Sequence, residues 1–380
     1  MQSIPLSFTG ENFRVMQITD AQETLAISPD TMKLICAALD QARPDLVVFT
    51  GDQIKGYSPV FRGKNAQQNA ETTIGALLKP LRERGIPFAV TYGNHDAEGA
   101  LTNADQFEIY KQTPGFAFSD PAAPEDVGTY CLTVKDDAGK DRLLIYLFDT
   151  HNRCADGSFG MVNDAQIDWY RQTRDAYAAA NGAPVPSIAF QHIPTPEYYD
   201  ILKRSRRFGS GSVRAYGNHK NEYYVLDEEN RQDGDFLGES PATSFENSGE
   251  VDAFLEQGEM MALYVGHNHK NSFTARYKTI DLGNTQSAGF NVYGPGLDRG
   301  VRVLDFSPDG SYATYTLTYH ELCGDTPEDK RKYTMMQHMP TSIAGTVTFV
   351  KETLAVLGIA ALTAGTVYAA VKLKKSGLAK

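Results

Sequence analysis

Cysteine is scarce in this chain of 380 residues: Cys36, Cys131, Cys154 and Cys323, with no CxxC pair among them. Their wide spacing excludes a disulfide framework and a zinc knuckle, so free thiols are expected. Excess positive charge is lacking too. A formal net charge of −11 argues against a broad basic face for nucleic acid, which needs Lys and Arg to neutralise phosphates. It leaves room for a phosphorylated substrate, because bound divalent cations invert the local charge of a site. The N-terminus, Met1-Gln-Ser-Ile-Pro, lacks the basic and apolar stretches of a secretory signal, so a reducing cytoplasmic setting is expected. There is no internal repeat. The length fits two average domains, or one large α/β domain with a tail.

What is present is a series of polar clusters, each following a hydrophobic run. Phe13 to Thr19 reads as a buried strand ending before Asp20-Ala-Gln22. Pro29 to Ala42 has helical spacing, with Ser28 placed to cap it. Asp45 to Thr50 is a second buried strand, ending at Gly51-Asp52. A helix over Ala66 to Arg84 leads to a strand at Pro87 to Tyr92, then Gly93-Asn94-His95-Asp96. Strand and helix alternate, which implies right-handed crossovers and ligands gathered along the carboxyl edge of a sheet.

The pattern then changes. Tyr130 to Val134 and Leu143 to Phe148 form a hairpin around Asp136-Asp-Ala-Gly139. Asn163 to Ala180 is helical and carries the one tryptophan, Trp169. Ser187 to Gln191 delivers His192, and Gln257 to Val265 delivers Gly266-His267-Asn268-His269. Two or three strands are expected between Ser272 and Leu317. Arg204 to Ser248 reads as a long loop over the site. Its Arg204-Ser-Arg206-Arg207 cluster either contacts an anionic substrate or is a solvated loop face. His151 reads as a polar loop residue or a pocket lining, and His219 as exposed.

Carboxylates and imidazoles delivered in this order suit a pair of cations about 3.5–4 Å apart that grip the attacking and leaving oxygens of a phosphoryl group. Asp52 is the bridging candidate, since an acid at a tight glycine turn permits close backbone approach. Asn94 offers a neutral oxygen. His267 and His269 alternate on one extended segment, so they reach adjacent cations only if the backbone bends there.

These motifs resemble those of the calcineurin-like metallophosphoesterase superfamily, which run D-x-H, G-D, G-N-H-[DE], H and G-H-x-H. The resemblance covers Phe13 to Tyr319. Gly128-Thr-Tyr130, Gln166-Ile-Asp-Trp169-Tyr170, Phe190-Gln-His192-Ile-Pro194-Thr-Pro196-Glu197-Tyr198 and Arg299-Gly-Val-Arg-Val-Leu304 are similar to the subgroup of Dcr2-type phosphatases and plant purple acid phosphatase 29-like proteins. The resemblance implies an α/β fold, a β-sandwich flanked by helices (αββα), and two divalent metal ions (Mn, Fe or Zn). Asp20, Asp52 and His269 would hold one ion, with Gln22 in a histidine's place; Asp52, Asn94, His192 and His267 would hold the other. His95 would touch the phosphoryl group or protonate the leaving oxygen, with Asp96 holding its ring, and a metal-bridging hydroxide would attack a phosphomonoester in line. The alternatives are a phosphodiesterase or nucleotide hydrolase, or a weakly active metal- and phosphate-binding member acting as sensor or scaffold. Gln22 departs from the pattern: it either ligates through its amide oxygen, favouring harder ions, or makes a structural hydrogen bond. Lys55 stands where purple acid phosphatases carry a ligand tyrosine, so no iron–tyrosinate is expected, and Tyr57 is out of register.

The expected organisation is a catalytic domain over residues 1–323, a linker over 324–345 and an apolar C-terminal helix over 346–376. Residues 353–371 carry no charge and precede Lys372-Leu-Lys374-Lys375. As a helix this stretch is about 28 Å long, near the thickness of a bilayer core. Ala361, Gly365 and Ala369 form a small-residue stripe. A spanning or interfacial helix attaching the protein to a membrane is expected over a soluble docking helix.

Overall fold

The computed structural model describes residues 4–8, 10, 12–119, 122–123 and 126–339. Two sheets form the frame. The first has five strands in the order Tyr312–Thr318, Gly300–Phe306, Phe13–Ile18, Leu46–Thr50, Phe88–Thr91. Its last three are mutually parallel, so their carboxyl ends share one edge. The second has eight strands, in which Asp141–Leu147, Ser187–Phe190, Met260–Val265 and Ile280–Asn284 run parallel.

Period-two alternation decides which side chains meet. Val15, Val48 and Ala89 of the first sheet pack with Tyr130, Ile145, Ile188, Phe190 and Tyr264 of the second, making the core between the sheets. Their sequence neighbours face outward. Met16, Val47, Phe49 and Val90 pack with Leu34, Ile35, Leu39, Ile74 and Leu77 from the helices Pro29–Ala42 and Ala66–Leu77. On the other side Tyr146, Ala189, Leu263 and Val265 pack with Ile167 and Tyr170 of the helix Asp164–Asn181. The result is helix, sheet, sheet, helix.

Local signals account for most element ends. Ser28 accepts from the Thr31 amide, and Asn163 with Gln166 forms a reciprocal capping box. The single helix expected over Ala66 to Arg84 is two, Ala66–Leu77 and Lys79–Arg84, with the break before Pro80. Proline has no amide hydrogen to give and its ring clashes with the preceding turn. Four strands, not two or three, lie between Asn271 and Thr318. The stretch expected as one long loop holds a small antiparallel sheet, Leu202–Ser205, Tyr223–Leu226 and Val213–Arg214, packed through Tyr199, Leu202, Ala215 and Tyr224. His219 belongs to it, bonding Glu222 at 2.8 Å and stacking on Tyr199.

One compact unit runs from Met1 to Gln337. Residues placed in a linker by sequence include the helix Lys330–Gln337, and Asp30 accepts from Tyr319 Oη and the amides of Glu328 and Asp329. The apolar segment 346–376 lies outside the described residues. Among the described residues, no helix is long and apolar enough to cross a membrane.

Candidate metal centre

The parallel strands deliver their polar residues to one place. Asp20 and Asp52 each lie two residues past a strand of the first sheet, and Asn94 and His95 follow its Phe88–Thr91 strand. His192 and His267 each lie two residues past neighbouring strands of the second. To turn these side chains inward, the backbone takes left-handed conformations: φ is 53° at Asp20, 41° at Gln22, 55° at Asp52 and 66° at His267. Non-glycine residues rarely adopt positive φ, and such strain concentrates at functional sites. The bend expected between His267 and His269 is therefore present.

Glycines let the loops close on one another. A β-carbon on Gly93 would stand 2.2 Å from Asp52 Oδ1, and one on Gly266 would stand 1.9 Å from Thr19 Oγ1 and 2.9 Å from Asp20 Oδ2.

The ligand atoms converge on Asp52 and Asp20, both fully buried. Asp52 Oδ2 lies 3.0 Å from Gln22 Nε2, 3.5 Å from His192 Nε2 and 4.0 Å from His95 Nε2. Asp20 Oδ1 lies 3.1 Å from His269 Nε2 and 3.9 Å from His192 Nε2. Asp20, Asp52 and His269 offer ligand atoms all within 4.8 Å of one another, a group able to hold a metal ion. His267 Nδ1 faces His192 Nε2 at 3.3 Å. Asn94 is buried, and its Oδ1 has no hydrogen-bond partner.

Outer partners fix the rings. His192 Nδ1 donates to Thr50 O at 2.8 Å, and His269 Nδ1 to Tyr293 O at 2.9 Å, leaving each Nε2 turned to the centre. Tyr293 also stacks on His269, with centroids 4.2 Å apart, and donates to Glu239.

Charge balance points the same way. Burial alone would lower His192, but Asp52 and Asp20 outweigh it and hold its imidazole up at about 10. Burial opposes ionisation of Asp52 as well, yet His192 and His95 hold its carboxyl far below the ordinary range. His267 is driven down, first by burial and then by the neighbouring His192 cation. The lowered Asp52 carboxyl and the raised His192 imidazole balance one another at a position that suits a divalent cation. An orphaned buried amide oxygen, two carboxylates and aligned imidazole nitrogens fit such cations.

His95 sits at the rim, about a third exposed, with its amide donating to Asp52 Oδ1 at 2.8 Å. Asp96 does not hold its ring, contrary to expectation. The Asp96 carboxylate accepts from the backbone amides of Asp52, Ile54 and Gly93 at 2.7–3.2 Å, because the turns after Leu46–Thr50 and Phe88–Thr91 leave these donors open. Glu98 takes the ring instead, at 2.6 Å from Nδ1. Burial lowers His95, but Asp52 and Glu98 together leave it raised. Sequence reasoning missed Glu98, although its place three residues after His95 was the available signal.

Gln22 turns its nitrogen, not its oxygen, toward the centre. Nε2 faces Asp52 Oδ2 and lies 3.4 Å from His269 Nε2, while Oε1 accepts from Tyr57 Oη at 3.2 Å. Tyr57 also lies against the His95 ring, 4.7 Å between centroids. Lys55 points away, donating to Asn291 O. His151 is a loop residue, with Nε2 3.3 Å from Asn163 Nδ2 and 3.6 Å from Asp126 Oδ1.

Residues 13–271 match the calcineurin-like phosphoesterase family. The "Probable inactive purple acid phosphatase 14" of Arabidopsis thaliana is 24% identical over 78% of this chain and 76% of its own length. "Phosphatase DCR2" of Saccharomyces cerevisiae is 30% identical over 48% of this chain, which is 32% of the yeast protein. Among solved structures, "GAP50 the anchor in the inner membrane complex of Plasmodium" superposes with a TM-score of 0.50 at 11% identity, covering 82% of this chain and 86% of that one.

Proposed function

The chain belongs to the calcineurin-like phosphoesterase family, and on that premise we propose that it is a metal-dependent phosphatase hydrolysing a phosphomonoester at a dinuclear centre. The observation that carries this reading is the position of Asp52 Oδ2, within 4.0 Å of Gln22, His192 and His95 side-chain nitrogens from three separate loops. Asp20, Asp52 and His269 would hold one ion, with Gln22 beside it as a donor to Asp52 rather than a ligand; Asp52, Asn94, His192 and His267 would hold the second. Cations bound there would polarise the phosphoryl oxygens and offset the charge that builds in the transition state.

The remaining roles belong to side chains. His95, with its raised affinity for a proton and Glu98 behind its ring, holds a proton at the rim for the leaving oxygen. Asp96 ties the Gly51-Asp52 and Gly93-Asn94 turns together through three amides, which holds Asp52 and Asn94 in place relative to one another. The experiment is hydrolysis of p-nitrophenyl phosphate and bis-p-nitrophenyl phosphate by metal-stripped protein resupplied with Mn, Fe, Zn or Mg, with Asp52→Asn as control. Metal-dependent turnover of the monoester, lost in the variant, supports the proposal. Preference for the diester moves it to a phosphodiesterase.

One observation favours a second reading, a member that binds metal and phosphate with little turnover. The Gln22 amide presents a donor to the cluster where the family pattern has an imidazole acceptor, and a relative carries the word inactive in its name. Gln22→His separates the two: a large gain in rate identifies a weakened site, and little change an adapted one.

A further inference from the structure

We propose that Arg153, Phe159 and Tyr216 form a substrate subsite beside the metal centre that holds a second anionic group, a carboxylate or a phosphate, of the phosphorylated substrate. This rests on the phosphoesterase reading of the centre itself. The Phe159 ring stands edge-on to the His267 ring, with centroids 4.3 Å apart at 75°. Tyr216 lies 5.5 Å from the same ring and leads on to Phe245 at 6.0 Å. The Arg153 guanidinium lies over the Phe159 face, 4.4 Å from the centroid. A strip of rings, half-buried at Phe159 and Tyr216 and exposed at Phe245, therefore starts at a candidate metal ligand, and a cation sits on its first member.

The arginine is held from its backbone. Arg153 and Phe159 form an antiparallel bridge, and Cys154 N donates to Ser158 O at 3.1 Å, closing a short hairpin. One guanidinium nitrogen donates to Gly157 O at 3.1 Å, inside the same hairpin. Among the described residues, no carboxylate pairs with Arg153, although it is exposed in a chain of net charge −11. An arginine so placed keeps a planar fork of donors free on its outer side. That fork matches carboxylate and phosphate oxygens two at a time. The guanidinium packs on Phe159 rather than on the centre itself, so its partner is a group other than the scissile phosphoryl. What the guanidinium faces is the part of a substrate beyond the phosphoester oxygen, lying along the rings. The substrate class is an organic phosphomonoester with a second anion.

The test compares 3-phosphoglycerate with glycerol 3-phosphate, which differ in one carboxylate, using the full chain loaded with Mn. Wild type is expected to bind 3-phosphoglycerate at least tenfold more tightly by calorimetry. Arg153→Ala is expected to remove that preference, with Arg153→Lys restoring part of it. In turnover, Arg153→Ala is expected to raise KM for 3-phosphoglycerate about tenfold with kcat within twofold, leaving KM for p-nitrophenyl phosphate unchanged. Equal wild-type affinities for the two ligands, or an Arg153→Ala preference equal to wild type, overturns the subsite. Absence of p-nitrophenyl phosphate hydrolysis by wild type bears on the phosphatase reading instead, and the calorimetry still decides the subsite.

Discussion

Replacing Gly93 with alanine tests whether loop approach at the centre is as close as the structure holds it. The new β-carbon would stand 2.2 Å from Asp52 Oδ1, 2.6 Å from the Asp52 amide nitrogen and 2.8 Å from its Cγ. The amide nitrogen is backbone, pinned by Asp96 at 2.7 Å, and cannot swing aside. The carboxylate must retreat by about 1 Å, a misplacement that costs on the order of 100-fold in rate. Overpacking of this kind also destabilises by about 1–3 kcal/mol. Thermal unfolding, Mn affinity by calorimetry and monoester hydrolysis would be read on the same preparation. Gly75→Ala is the control: it lies in the helix Ala66–Leu77 with nothing within 4 Å of the added carbon. It is expected to stabilise by about 0.5–1 kcal/mol and leave Mn binding alone. Gly93→Ala protein with wild-type Mn affinity and a rate within threefold would refute the geometry.

Three further outcomes are expected. Arg299 is fully buried, donates to Ser287 Oγ and Val292 O, and stacks on Phe290; Arg299→Ala should cost on the order of 3 kcal/mol in denaturant unfolding, and a change under 1 kcal/mol contradicts its role as a packed anchor. Glu250, buried beside Gln191, has its carboxyl raised from 4.5 to about 8, first by burial. The folded state then binds the extra proton, so stability falls as pH rises from 4.5 through 8, by up to roughly 5 kcal/mol. Glu250→Gln should flatten that part of the stability–pH curve, and an unchanged slope would show that Glu250 is not its source. Gln22→His should tighten Zn binding at least tenfold, since imidazole replaces an amide whose nitrogen faces Asp52; equal affinity in the two proteins counts against position 22 as a ligand position.

Much of the fold was legible because its strands are short apolar runs that each end at a polar cluster. The strands Phe13–Ile18, Leu46–Thr50 and Phe88–Thr91 fall where the apolar runs place them, and so do the Ser28 cap and the helix Asp164–Asn181. Arg204 to Ser248 reads as loop because it is rich in Gly, Asn, Ser and Glu, and pairing of the short strands found there, two to four residues long, depends on Tyr199 and Tyr224 packing behind them. Within the centre, the residues brought together are those the motifs single out. Their connections were less readable. The Asp96 carboxylate serves backbone amides whose exposure depends on the turn, and the Gln22 amide direction is set by Tyr57, which no spacing rule links to it. Phe159 reaches His267 across more than a hundred residues of chain, a contact visible only once the strand order of the second sheet is known.

The most direct measurement is metal stoichiometry with turnover on the same sample. Equilibrium dialysis of the full chain against Mn should give two ions per chain, and Asp52→Asn should lose both together with p-nitrophenyl phosphate hydrolysis, because both proposed ligand sets include its carboxylate. Two ions retained by Asp52→Asn, or no stoichiometric binding by the wild-type chain, would contradict the account.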